Sequence, residues 1–156
     1  MSFLEKNIQT LKRRMPELAE AIEYHQPEMD VYMGDAFVEG SFMAIERDGQ
    51  LAALQSTYSP KHEAERFIKQ FDREDTPILL ILYGFGSGEI VRVAMKHSNI
   101  ITSCIIYEPS EDVFSVVLEQ YDVSDLLQNP NCQFFIGGVN ADGFKNYLYE
   151  LGRASC

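Results

Sequence analysis

Apolar residues recur at Leu4, Ile8, Leu11 and Met15, one helical stripe along an otherwise polar segment. Ser2 and Glu5 have capping-box spacing at its start. Pro16 ends or kinks this helix, and Leu18, Ala21 and Ile22 continue the pattern to about Tyr24. The period then changes. Asp48-Gly49 separates two short apolar runs, Phe42 to Glu46 and Leu51 to Gln55, which predicts a hairpin. Val31 to Val38 reads as a third strand, interrupted by Gly34 and Gly40. Ser59-Pro60 opens a helix as N-cap and first helical residue, with Ala64, Phe67, Ile68 and Phe71 on its inner face.

From about Thr76 strands and helices alternate. Pro77 to Tyr83 is a continuous apolar run, the pattern of a strand buried on both faces. A glycine turn follows, then a helix from about Ser87 to Lys96. Ile101 to Tyr107 is the second strand, closed by Glu108-Pro109. Ser110 caps a third helix with Glu111 and Asp112 at its positive end. Cys132 to Ile136 is the third strand, and Phe144, Tyr147, Leu148 and Leu151 mark a final amphipathic helix. The prediction is an α/β fold: a Rossmann-like, three-layer βαβαβ parallel sheet with an N-terminal helix and β-hairpin elaboration. The elaboration spans 1–58, the Rossmann-like domain 59–151, and 152–156 is a tail.

Bulk properties narrow the function. A chain of 156 residues can bury such a core without disulfide, metal or cofactor. A net charge of −11 argues against nucleic acid and against an anionic membrane surface. No secretory signal or membrane-length apolar run is present, so a cytoplasmic location is expected. Cys104, Cys132 and Cys156 lack metal spacing and read as reduced thiols. His25, His62 and His97 are widely spaced and read as surface or helix-end residues, and Lys12-Arg13-Arg14 as a solvated helix face.

The candidate chemistry gathers at the glycine turn. Gly84, Phe85, Gly86, Ser87 and Gly88 join a strand to a helix, a place where backbone N–H groups can approach a ligand. The spacing is GxGxG, with Glu89 where the dinucleotide fingerprint has glycine or alanine; NAD is disfavoured. Glu108 ends the second strand roughly 20 residues past the glycines, the position of an acid that binds ribose hydroxyls. Gly84, Phe85, Gly86, Gly88 and Glu108 thus form a candidate nucleoside or nucleotide-sugar site. Two bland readings stay open beside it: glycines serve any tight βα turn, and an acid before proline ends many strands. An S-adenosylmethionine methyltransferase would use the same arrangement, with an acid two residues before the first glycine, where this chain has Leu82. No nucleophile-and-base pair is evident.

Leu82 to Gly88 followed by Ile105 to Pro109 resembles the N-terminal region of the motility-associated-factor glycosyltransferases. Tyr58 to Phe67 is similar to that family's helix before the first strand, as is the opening Glu5-Lys6-Asn7 through Leu18, and the resemblance runs to about Leu151. It implies a bacterial cytoplasmic protein of flagellin glycosylation, in which pseudaminic or legionaminic acid is transferred to flagellin Ser/Thr. The catalytic centre of that family lies in a following domain related to a pterin diphosphokinase family. By resemblance, then, this is an accessory domain with flagellin and the adjacent catalytic domain as partners, non-catalytic alone. A methyltransferase-like nucleoside-binding domain is the alternative. Self-association through a sheet edge is a third reading.

Overall fold

The computed structural model describes residues 1–97 and 99–154. Helix α1 (Phe3–Arg14) starts with the expected capping box, Ser2 and Glu5 each bonding the other's backbone N–H. Met15 closes it, and Pro16 opens α2 (Pro16–Glu23) at a position where its missing N–H costs nothing. Three antiparallel strands follow: β1 (Val31–Asp35), β2 (Ser41–Arg47) and β3 (Gln50–Ala53), in the order β1-β2-β3. Asp48 and Gly49 both take positive φ in the β2–β3 turn, as a two-residue type I′ hairpin requires. Gly34 belongs inside β1 because the Phe42 ring lies across it; a Cβ there would sit 2.6 Å from that ring. Gly40 is in the connecting turn and its carbonyl accepts the Ala36 N–H.

Helix α3 (Pro60–Lys69) is capped by Ser59, whose hydroxyl accepts the His62 N–H at 3.1 Å. Then come β4 (Ile78–Tyr83), α4 (Glu89–His97), β5 (Ile101–Glu108), α5 (Glu111–Gln120), the short α6 (Ser124–Leu127), β6 (Cys132–Ile136) and α7 (Gly143–Ala154). The second sheet is parallel, in the order β4-β5-β6. Successive strand residues face opposite ways. Phe134 meets Phe114 of α5, while neighbouring Phe135 meets Phe144 and Tyr147 of α7. The sheet therefore lies between two helical layers, and the Rossmann-like α/β prediction holds. Helix α7 runs past Leu151 to Ala154.

Several expectations need correction. The apolar run of β4 is not buried on both faces. It is an edge strand, and Leu79, Ile81 and Tyr83 are 41%, 48% and 79% exposed, because α7 packs over β6 and leaves that side of the sheet open. Arg14 is not on a solvated face. Its guanidinium donates to the carbonyls of Leu127 and Cys132, and burial lowers its pKa. His25 is held between carboxylates, with Nε2 2.5 Å from Asp112 and Nδ1 3.3 Å from Glu111. It follows α2 as a helix-end residue but is nearly covered.

The N-terminal helices complete the main core rather than forming a second one. Ile8, Leu11, Leu18 and Ile22 share one cluster with Ile106, Phe114, Leu118 and Phe134. Asn7, fully buried, locks this packing: its amide donates to the carbonyls of Leu118 (2.9 Å) and Tyr121 (2.7 Å), and its oxygen accepts the Val123 N–H (3.2 Å). Cys104 and Cys132 are register partners on β5 and β6, both buried as free thiols pushed up to about 12 and about 11 by desolvation. Cys156 lies outside the described residues.

Candidate functional site

The five residues singled out in the sequence meet at the carboxyl edge of the parallel sheet. Gly84, Gly86 and Gly88 take φ of 101°, 57° and 83°, a region where a side chain is strained. Their surroundings differ. A Cβ on Gly84 would meet nothing within 4 Å, so its backbone faces open space. A Cβ on Gly88 would sit 2.9 Å from Leu126, so this glycine serves packing between the turn and α6. The Phe85 ring is buried against Phe114 and Phe134, and only its backbone belongs to the turn's outer surface.

Glu108 is 4% exposed and joins the two βα turns. Oε1 accepts the Phe85 N–H at 3.0 Å, and Oε2 accepts the Ser110 N–H at 2.9 Å. Burial raises its pKa, and the two backbone donors pull it partly back. A carboxylate placed here therefore fixes the spacing of the glycine turn against the start of α5. Leu82, at the position a methyltransferase gives to an acid, has its side chain in the core.

A cavity of about 410 Å³ opens above this edge, within the size range of small-molecule sites. Its floor includes Ile90, Val113 and Met29; Ile45 and Leu54 come from the antiparallel sheet. Tyr83 stands at its side, and its ring stacks on Tyr107 with centroids 5.5 Å apart and planes 13° from parallel. Gln55, after β3, ties the small sheet to the turn: its amide donates to the Ser87 hydroxyl and its oxygen accepts the Met43 N–H. Among the described residues, the N–H groups of Gly86 and Ser87 have no protein acceptor. The lining carries the carboxylates Glu63, Glu89 and Glu108 against one cation, Arg47. It includes no histidine or cysteine.

The sequence located the turn and Glu108 but missed the contribution of the antiparallel sheet. Gln55, Ile45 and Leu54 carry no motif. Only their positions at the end of a predicted hairpin placed them near anything, and nothing local says which end of the parallel sheet that hairpin covers.

A solved structure answers to this arrangement. The fold is one found in a glycosyltransferase. The MAf glycosyltransferase from Magnetospirillum magneticum AMB-1 matches over 93% of this chain with a TM-score of 0.61 at 16% sequence identity. The chain spans 29% of the length of that protein. At this identity the likeness establishes the shared fold. No protein-family model matches the sequence, and no curated protein does.

Proposed function

We propose that this chain is an accessory domain of the motility-associated-factor flagellin glycosyltransferases, acting in the transfer of a nonulosonic acid to flagellin Ser/Thr without being catalytic alone. The observation that carries it is the match of nearly the whole chain to under a third of a MAf glycosyltransferase. In this reading the domain positions flagellin or stabilises the catalytic domain. The test is turnover of a CMP-activated nonulosonic acid by this chain, with and without unglycosylated flagellin. No hydrolysis and no transfer is expected; enzyme-like rates of either would overturn the proposal.

The open cavity at the glycine turn favours a second reading, a nucleoside-binding domain related to S-adenosylmethionine methyltransferases. Gly84 facing open space and the acceptor-free N–H groups of Gly86 and Ser87 support nucleoside binding. The buried Leu82 removes the usual hold on the methionine amino group, so methyl transfer is the weaker part. A thermal-shift titration decides: stabilisation that grows with nucleoside concentration, as linkage requires, supports it. No shift with S-adenosylmethionine or any nucleoside ends it.

A further inference from the structure

The charges around the cavity say more about its ligand than the glycines do. We propose that this pocket accepts a nucleoside without a phosphate, and that Glu63 and Glu89 are the residues that turn phosphorylated forms away. The inference rests on the nucleoside reading above. Strand–turn–helix sites that hold phosphate present backbone N–H groups and the positive end of a helix, equivalent to about half a unit charge. Here Glu89 opens α4 with a full negative charge at that end. Arg92 offsets it only in part, 3.6 Å away, and is itself shared with Asp125 at 3.1 Å. Glu63 adds a second carboxylate from α3 and accepts the Ser56 N–H at 3.2 Å. Glu108 belongs to the same lining. Arg47 alone cannot reverse the sign of the site.

The remaining features suit an uncharged ring with hydroxyls. Tyr83 is 79% exposed yet braced by its stack on Tyr107, so its outer face is a platform for a base. Glu108, in the same lining, is the acceptor for ribose hydroxyls. The N–H groups of Gly86 and Ser87 suit a neutral acceptor.

The experiment is calorimetric titration at fixed ionic strength with two pairs of probes, adenosine with AMP and cytidine with CMP. The wild type is compared with Tyr83→Ala and with the double variant Glu63→Gln/Glu89→Gln. Circular dichroism and thermal unfolding confirm that each is folded. At least one nucleoside is expected to bind about tenfold more tightly than its monophosphate, a ratio set by like-charge repulsion. The double variant raises monophosphate affinity and leaves the nucleoside unchanged. Tyr83→Ala weakens the nucleoside about threefold or more, the loss of a stacking face. Monophosphates binding as tightly as nucleosides to the wild type would refute the exclusion and leave the nucleoside reading standing. An unchanged ratio in the double variant would refute the assignment to Glu63 and Glu89. No binding of any probe at millimolar concentration would end both.

Discussion

Replacing Asn7 with leucine tests whether α1 is part of the fold or an ornament on it. The volume is nearly conserved, so the change removes polar chemistry and little packing. Three backbone groups lose their partner: the Leu118 and Tyr121 carbonyls and the Val123 N–H, all beside a side chain with no exposure. An unsatisfied buried group costs about 1–3 kcal/mol, and burying the extra apolar surface returns about 1 kcal/mol. With three such groups the net loss should be about 2–8 kcal/mol, a fall in Tm of roughly 5–30 °C for a chain of this size. Urea unfolding followed by circular dichroism measures it, with an unchanged slope showing that the unfolded state is the same. Asn7→Asp sharpens the test. It keeps the acceptor for Val123 but aims a carboxylate at two carbonyl oxygens. Its folded pKa is then raised, so its stability is greatest at low pH and is lost as pH rises through that pKa. A loss under about 0.5 kcal/mol for Asn7→Leu would refute the reasoning.

Gly88→Ala combines positive φ with a Cβ 2.9 Å from Leu126, and should cost about 1–3 kcal/mol by urea unfolding; Gly84→Ala shares the strain without the clash and should cost less. Asp122, held by Lys6 at 2.7 Å and by Ser124, has its pKa lowered to about 2. Its contribution is present above the ordinary carboxylate range and lost as pH falls through about 2; the stability gap between wild type and Asp122→Asn should be level near neutrality and close across that acid interval. Glu108 has the opposite sign: its raised pKa means its contribution is largest in acid and declines as pH rises, so wild type should lose ground against Glu108→Gln with increasing pH. Ile81→Lys puts a charge on the exposed edge strand and should lower aggregation, read by light scattering, with little change in Tm.

Most elements were legible because local rules fix them. The capping box at Ser2, the Asp48-Gly49 turn and the Ser59-Pro60 start each satisfy backbone groups within a few residues, and each appears as expected. Burial depends on what packs from elsewhere. The β4 run looked doubly covered because apolar composition does not tell an edge from a centre. Arg14 and His25 looked solvated because their partners lie 113 and 87 residues further along the chain. At the candidate site the glycines and Glu108 were visible by spacing. The cavity was not, because its floor and the Gln55 link come from the antiparallel sheet, whose placement is a tertiary fact.

The clamp between α1 and the far half of the chain also sets an order of events during folding. The residues that hold Asn7 and Arg14 in place are made more than a hundred positions later. A chain emerging from the ribosome presents its first helix long before Leu118, Tyr121 and Leu127 exist. That helix waits with its apolar stripe uncovered while the parallel sheet is still incomplete. Closing such a long loop is slow compared with forming the hairpin or α3. The contacts that dock α1 on the Leu118 and Leu127 region therefore span a far longer loop than those of the hairpin or α3.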